Sequence, residues 1–321
     1  MTQTERKQVV ARVAIWYVDP CQFVRDVFEA EPDAWQALAL EGVAAGDRTG
    51  LSACKGPGKT TVEAWVIWWF LATRPHCNII ALSITLDNLR DNLWKELAVW
   101  LARPKAGFLR DAFEQGGERI AYRKSPKTWW CSARAFAQSA DPSQQANTIA
   151  GLHAKRVMVV MDEMGSYPDG VLVAAEAIFS NQDHAEAKIL AAWNPTSTDG
   201  PAYRVVTRDR KRWNIIHITG DPEDPNRSPR ISKKWAQEQI DDWGRENDWV
   251  RVNVLGQFPR TSSDKLLGPD DVQTAIARII RPEEVVDEAR VMGLDVAGMG
   301  DDSTVLIMRQ GLCAWEPVRW R

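Results

Sequence analysis

The chain has 321 residues, 45% hydrophobic and 26% charged, with a net charge of −3. That length suits about two domains, and the composition supports a sizeable core, which excludes a disordered chain, a fibre and a disulfide-stapled mini-domain. The acidic balance excludes a global polycationic footprint, so any nucleic-acid contact must rest on local basic residues.

Taken in order, MTQTERKQVV has no apolar signal core after its charges, and no later apolar run reaches the roughly 18–20 residues that cross a bilayer. Residues 12–30 read as helical and partly apolar. Glu31-Pro32-Asp33-Ala34-Trp35-Gln36 then signals another helix start. A short apolar strand over Gly50 to Ala53 runs into a Gly/Pro-rich turn. A helix follows from about Thr60 to Thr73, with Val62, Trp65, Val66, Trp69 and Phe70 at helical spacing. Asn78 to Leu82 reads as a strand and Asp87 to Leu101 as an amphipathic helix. Val157 to Met161, Ile189 to Trp193 and Trp213 to Ile218 are further apolar strands of the kind found in buried parallel sheets. Strands alternating with helices imply βαβ units, and the fold class is α/β. Five cysteines (Cys21, Cys54, Cys77, Cys131, Cys313) lack CxxC spacing, which fits a reduced compartment and no zinc site. Sixteen tryptophans read as core and interface bulk.

Two motifs carry chemistry. Ala53-Cys54-Lys55-Gly56-Pro57-Gly58-Lys59-Thr60 matches the phosphate-binding loop GxxxxGK[ST], except that Ala53 replaces the first glycine. Small residues let backbone N–H groups wrap phosphates at a helix N-terminus. Lys59 would reach the β- and γ-phosphates, and the Thr60 hydroxyl would bind Mg²⁺. The second motif is the strand Val157 to Met161 ending in Asp162-Glu163. There Asp162 would hold the Mg²⁺, and Glu163 would polarise the attacking water. About one hundred residues of α/β pattern separate Lys59 from Asp162, so the two strands are expected in one sheet, with adjacency possible. A glycine corner and a solvated strand end would explain either motif singly, but the pair points to an ATPase.

On these residues the chain resembles the large terminase subunit of tailed bacteriophages, the motor that packages DNA into procapsids. Trp35-Gln36 is similar to that family's glutamine motif, which implies that Gln36 contacts adenine. The loop from Cys54 to Thr60, with Thr61, is similar to its degenerate Walker A. Lys55 stands where such loops often carry an arginine acting in cis on the γ-phosphate, although a lysine lacks the arginine fork. Gly151-Leu152-His153 also looks family-like, as does Trp193-Asn194-Pro195, where Asn194 would be the γ-phosphate sensor. Gly256-Gln257-Phe258-Pro259 resembles the signature closing the ATPase region. The resemblance implies an ASCE-type P-loop NTPase with a mainly parallel central sheet flanked by helices, followed by the start of an RNase H-like nuclease domain. It also implies double-stranded DNA, a portal protein and a small terminase subunit as partners. A homo-oligomeric ring on the portal, the host cytoplasm as location and absence from the virion follow from it as well.

The tail completes the expected organisation: an ATPase domain over 1–260, a polar linker over 261–290 and a nuclease hairpin over 291–321. In that hairpin the resemblance makes Asp295 a ligand of catalytic Mg²⁺ or Mn²⁺, with Asp302 in support. Two-metal hydrolysis needs several converging carboxylates, so the chain reads as an N-terminal fragment whose nuclease is incomplete. Histidines 76, 153, 184 and 217 have no ligand spacing. Arg208 to Arg212, Arg227 to Lys234, and Arg123-Lys124 with Lys127 beside Trp129-Trp130 are basic runs able to touch DNA phosphates, or simply solvated surface. Two other functions fit less of the chain. A helicase-like or repair ATPase would need a second motor domain after Pro259, and a non-catalytic nucleotide-binding assembly module would release no phosphate.

Overall fold

The structure, a computed structural model, describes residues 3–136, 149, 152, 154–181, 183–260, 274–297 and 303–320. It divides into two compact units, Met1–Asp264 and Lys265–Arg321. No helix among the described residues is long and apolar enough to cross a membrane.

The first unit opens with α1 (Gln3–Val18) and α2 (Pro20–Phe28). The two helices break where Pro20 sits in the first turn of α2 and the Asp19 carboxylate caps it, accepting from Gln22 N at 2.8 Å. After α3 (Ala34–Ala45) come β1 (Arg48–Ala53), α4 (Lys59–Thr73) and β2 (Asn78–Ser83). A continuous helical stretch then runs through Leu86–Asn88, a π turn Leu89–Trp94, and α5 (Lys95–Leu101). Helix α6 (Gly107–Ala112) precedes β3 (Phe113–Gln115), β4 (Arg119–Tyr122), β5 (Trp130–Ala135) and β6 (Arg156–Met161). Helix α7 (Asp169–Glu176), β7 (Glu186–Trp193), α8 (Gly200–Val206), β8 (Asn214–Ile218) and α9 (Lys233–Trp243) follow, and a short helical segment over Asp248–Val250 and Arg251–Leu255 closes it.

The eight strands form one sheet in the order β3-β4-β5-β2-β6-β7-β1-β8. From β5 to β8 every neighbouring pair is parallel, while β3 and β4 add an antiparallel edge. The mainly parallel α/β sheet expected from the sequence is therefore present. One expectation is corrected: β1 and β6 are not neighbours, because β7 lies between them and pairs with both. Short β3 and β4, and β5 behind them, escaped the sequence reading because they are brief, mixed in polarity and lack the apolar run of a central strand. Helix α4 is buried from Val62 to Leu71 without a polar stripe, so it reads as a core helix rather than a surface one.

In the second unit β9 (Arg290–Asp295) and β10 (Thr304–Gln310) pair antiparallel, with Val305 opposite Asp295. The predicted hairpin is extended by β11 (Cys313–Ala314) and β12 (Val318–Trp320), which both pair with the far side of β10. Leu294 and Met292 on β9 are mostly exposed.

Candidate nucleotide site

Parallel strands of one sheet end along the same edge, so β1, β7 and β6 deliver the phosphate loop, Asn194 and Asp162-Glu163 side by side. The loop leaves β1 at Ala53 and enters α4 at Lys59. Gly56 and Gly58 have φ of 76° and 99°, a left-handed backbone that a side chain would strain. Cys54 N donates to Ile218 O at 2.9 Å and Lys55 N to Asn253 O at 3.0 Å, which anchors the loop's first half. Gly256, at φ 67°, lies so close that an added Cβ would meet Ile218 O at 2.5 Å and Cys54 N at 2.8 Å. The Gly256 to Pro259 segment thus begins against the loop's base.

Lys59 Nζ donates to Asn194 Oδ1 at 2.9 Å. Asn194 Nδ2 in turn donates to the carbonyls of Ala53 at 2.8 Å and Cys54 at 2.9 Å. Burial pushes the Lys59 amine below the ordinary lysine range, although Glu63 and Asp162 hold it up. Asp162 is 4% exposed. Burial, with the adjacent Glu163 charge second, raises its carboxyl to about 6 against the opposing pull of Lys59. Tyr167 Oη donates to the carbonyls of Leu82 and Asp162, each at 2.7 Å, which fixes that strand end. Glu163 is exposed, accepts from Asn88 Nδ2 at 3.2 Å, and sits at φ 59°. A non-glycine residue held in the left-handed region stores strain of a kind that gathers at functional sites.

Gln36 is fully buried beside the loop: an added Cβ on Gly58 would lie 3.5 Å from its Nε2, which has no hydrogen-bond partner. Its Oε1 accepts from Asp33 N at 2.9 Å and from Arg230 Nη2 at 3.4 Å, while Arg230 Nε pairs with Asp33 at 2.7 Å. Arg230, in a basic run read from the sequence as DNA-touching or solvated surface, belongs to this corner. Lys55 and Gly56 are exposed, Pro57 is buried, and Thr60 is partly exposed on the first turn of α4. The Thr61 hydroxyl donates to Glu96 of α5 at 2.7 Å. Asp295 is exposed at the end of β9 in the second unit. Asp302, Gly151 and His153 lie outside the described residues.

Sequence reasoning missed Glu63. It lies one turn beyond Lys59 on α4, is fully buried, and neither carboxylate oxygen has a hydrogen-bond partner. Burial first, and the nearby Asp162 second, hold it well above the ordinary glutamate value. The signal available was a lone acid inside an otherwise apolar helix.

Comparison with profiles of known protein families finds no match. A protein of Enterobacteria phage P7 described as a probable terminase, large subunit, is 22% identical over 272 residues, covering 81% of this chain and 52% of its own. The chain thus spans about half the length of that curated relative. Among solved structures, the HK97 bacteriophage large terminase superposes with a TM-score of 0.55 at 14% identity, over 92% of this chain and 64% of that one. The large terminase of a thermophilic bacteriophage, in complex with ADP, gives 0.50 at 15% identity, over 91% and 64%. The ATPase domain of the Thermus phage P74-26 large terminase gives 0.50 at 14%, over 75% of this chain and 99% of that domain. In sequence and in fold alike, the chain is similar to the large terminase subunits of tailed bacteriophages.

Proposed function

We propose that this chain is the ATP-hydrolysing region of a motor that drives double-stranded DNA into a procapsid. The observation carrying the reading is the convergence at one sheet edge of Lys59, Asn194 and the loop carbonyls with the Asp162-Glu163 strand end. Backbone N–H groups of Gly56, Gly58, Lys59 and Thr60, at the loop and the N-terminus of α4, would take the phosphates, with Lys59 on the β- and γ-oxygens. Gln36 would face the adenine through its unpartnered Nε2. Lys55, exposed on the loop, would approach the γ-phosphate as a point charge.

The residues present also fit a nucleotide-bound Mg²⁺, because Thr60 and the buried Asp162 supply hard oxygen donors at the same sheet edge as the loop. Thr60 and Asp162 would hold the ion, which when bound neutralises charge on the β- and γ-phosphates. Glu163 would take the proton of the attacking water. ATP binding would exchange the amide oxygen of Asn194 for a phosphate oxygen on Lys59 Nζ, freeing Asn194 to report the γ-phosphate to the loop's base.

The 1–260 region is read as the ATPase, 261–290 as a linker and 291–321 as the first part of an RNase H-like nuclease. In that unit Asp295 would be a ligand of Mg²⁺ or Mn²⁺ as one of several converging carboxylates. Portal protein, small terminase subunit and a ring of copies in the host cytoplasm are the corresponding partners and setting. Phosphate release tests the core of the reading. Lys59→Ala should abolish hydrolysis, whereas Glu163→Gln should bind ATP and leave it uncleaved. Hydrolysis by Lys59→Ala at the unsubstituted rate would overturn the assignment.

A further inference from the structure

The edge of the sheet opposite the nucleotide site carries a cavity of about 610 Å³. Its walls come from the residues that begin three parallel strands, Asn78 of β2, Trp130 of β5 and Arg156 of β6, with Arg119 of β4 beside them. At about 3.3 Å per residue, the length of β6 puts this rim roughly 20 Å from Asp162. Five basic side chains line it: His76, Arg119, Lys127, Lys155 and Arg156. Among the described residues, its lining contains no carboxylate.

This cluster differs from the other basic runs of the chain. Arg123 pairs with Glu114, Arg208 and Arg212 pair with Asp209, Arg230 with Asp33, and Lys234 with Glu238. Among the described residues, none of Arg119, Lys127, Lys155 and Arg156 makes an ion pair. On a chain of net charge −3, four cations without an ion-pair partner thus line one hollow. The walls are also pre-shaped. Arg119 donates to Pro126 O at 3.1 Å and lies over the Trp130 ring at 4.7 Å. Asn78 Nδ2 donates to Thr128 O at 2.9 Å, and His76 Nδ1 meets Thr128 Oγ1 at 2.9 Å. His76 itself is held at φ 59°, in the left-handed region. Trp130 is 6% exposed, so the hollow offers charge rather than a stacking platform for bases.

We propose that this cavity binds the phosphodiester backbone of nucleic acid, without reading its sequence, at the sheet edge remote from ATP. The choice of a nucleic-acid ligand rests on the motor reading above; the unpaired cation cluster does not. The cavity is concave, cationic and poor in exposed aromatic surface, which suits phosphates along a strand and not flipped or stacked bases.

The test is anisotropy of a short labelled DNA duplex over a salt titration, using the 321-residue chain and two double variants. Lys127→Glu with Lys155→Glu reverses two exposed cations of the cavity. Lys211→Glu with Lys234→Glu makes the same charge change elsewhere, and thermal melts confirm that each variant is folded. The cavity pair should weaken binding at least about tenfold and lower the log–log salt slope by about two, as loss of two phosphate contacts requires. The control pair should stay within about twofold of the unsubstituted chain. Equal losses in both pairs, an unchanged slope in the cavity pair, or no duplex binding by the unsubstituted chain would each overturn the proposal. ATP hydrolysis without DNA should be unaffected in all of them. If the cavity pair loses DNA while Lys59→Ala still hydrolyses ATP, the nucleotide reading falls and the cavity stands.

Discussion

Lys59 and Glu63 show how one turn of helix sets two opposite electrostatic problems. The lysine is answered by Asn194 at 2.9 Å, whereas the glutamate has no hydrogen-bond partner. Its folded carboxyl is held above the ordinary value of 4.5, mainly by burial. Below that value both folded and unfolded chains carry it protonated, so it costs nothing. As the pH rises, the unfolded chain ionises first, and stability is lost until the folded group ionises too. Glu63→Gln should therefore melt at about the unsubstituted temperature near pH 4 and higher at pH 8, by about 2–4 °C for each kcal/mol recovered. Differential scanning calorimetry at the two pH values checks this. An increment equal at both would show that the carboxyl is not held neutral. Glu63 was hard to read from the chain because Lys59 at i−4 invites the bland interpretation of a surface ion pair.

At the scale of elements, the end of α4 is fastened to the start of β7 by a buried ion pair. Arg74 is 1% exposed and pairs with Glu186, Nη2 to Oε1 at 3.0 Å. Tyr17 Oη donates to the same carboxylate at 3.0 Å, and the guanidinium lies 3.8 Å from the Tyr17 ring centre and 3.9 Å from that of Trp69. Three elements, α1, α4 and β7, thus share one charge pair. Glu186→Ala leaves the guanidinium buried without its counter-ion, which should cost about 3–5 kcal/mol. Replacing both partners, Arg74→Met with Glu186→Leu, should recover most of that loss, because no charge is then stranded. Urea unfolding at constant m-value measures both. A single variant as costly as the double would show that packing, not the stranded charge, dominates. Nothing in the sequence marks this pair, since its members are 112 residues apart.

For the whole molecule, the decisive fact is where burial lies. Among the described residues, the three hydrophobic clusters draw their members from Met1–Asp264, with Phe258 the last to pack against any of them. A chain ending at Asp264 should therefore fold cooperatively and keep the ATP turnover of the 321-residue protein. Circular dichroism melting and a phosphate-release assay test it. A collapse of the melting transition would mean that residues after 264 complete the core. The same distribution explains why the strands of the first unit were plainer in the sequence than the short β11 and β12 that extend the predicted hairpin of the second. The central strands announce themselves as apolar runs because both faces are covered, while β9 to β12 are mostly exposed and their polarity carries little pattern.

The sequence by itself determined the class of fold, the loop from Cys54 to Thr60, the acids at 162 and 163, and the resemblance that joins them. These are local signals: a contiguous loop, a run of apolar residues ending in charge, a helix with its cap. Each is written within a few residues because backbone geometry and helix termini act over that range. The tertiary structure decided what local pattern cannot encode. It placed β7 between β1 and β6, so that Asn194 rather than either acid meets Lys59, across 135 positions of sequence. It turned Thr61 toward Glu96 and Arg230 toward Gln36. It also gathered Arg119 of β4, Lys127, Lys155 and Arg156 of β6 around one hollow. Strand order and side-chain partnership arise from how helices and strands pack in space, and many orders satisfy the same string of apolar segments. Only the packed sheet selects one.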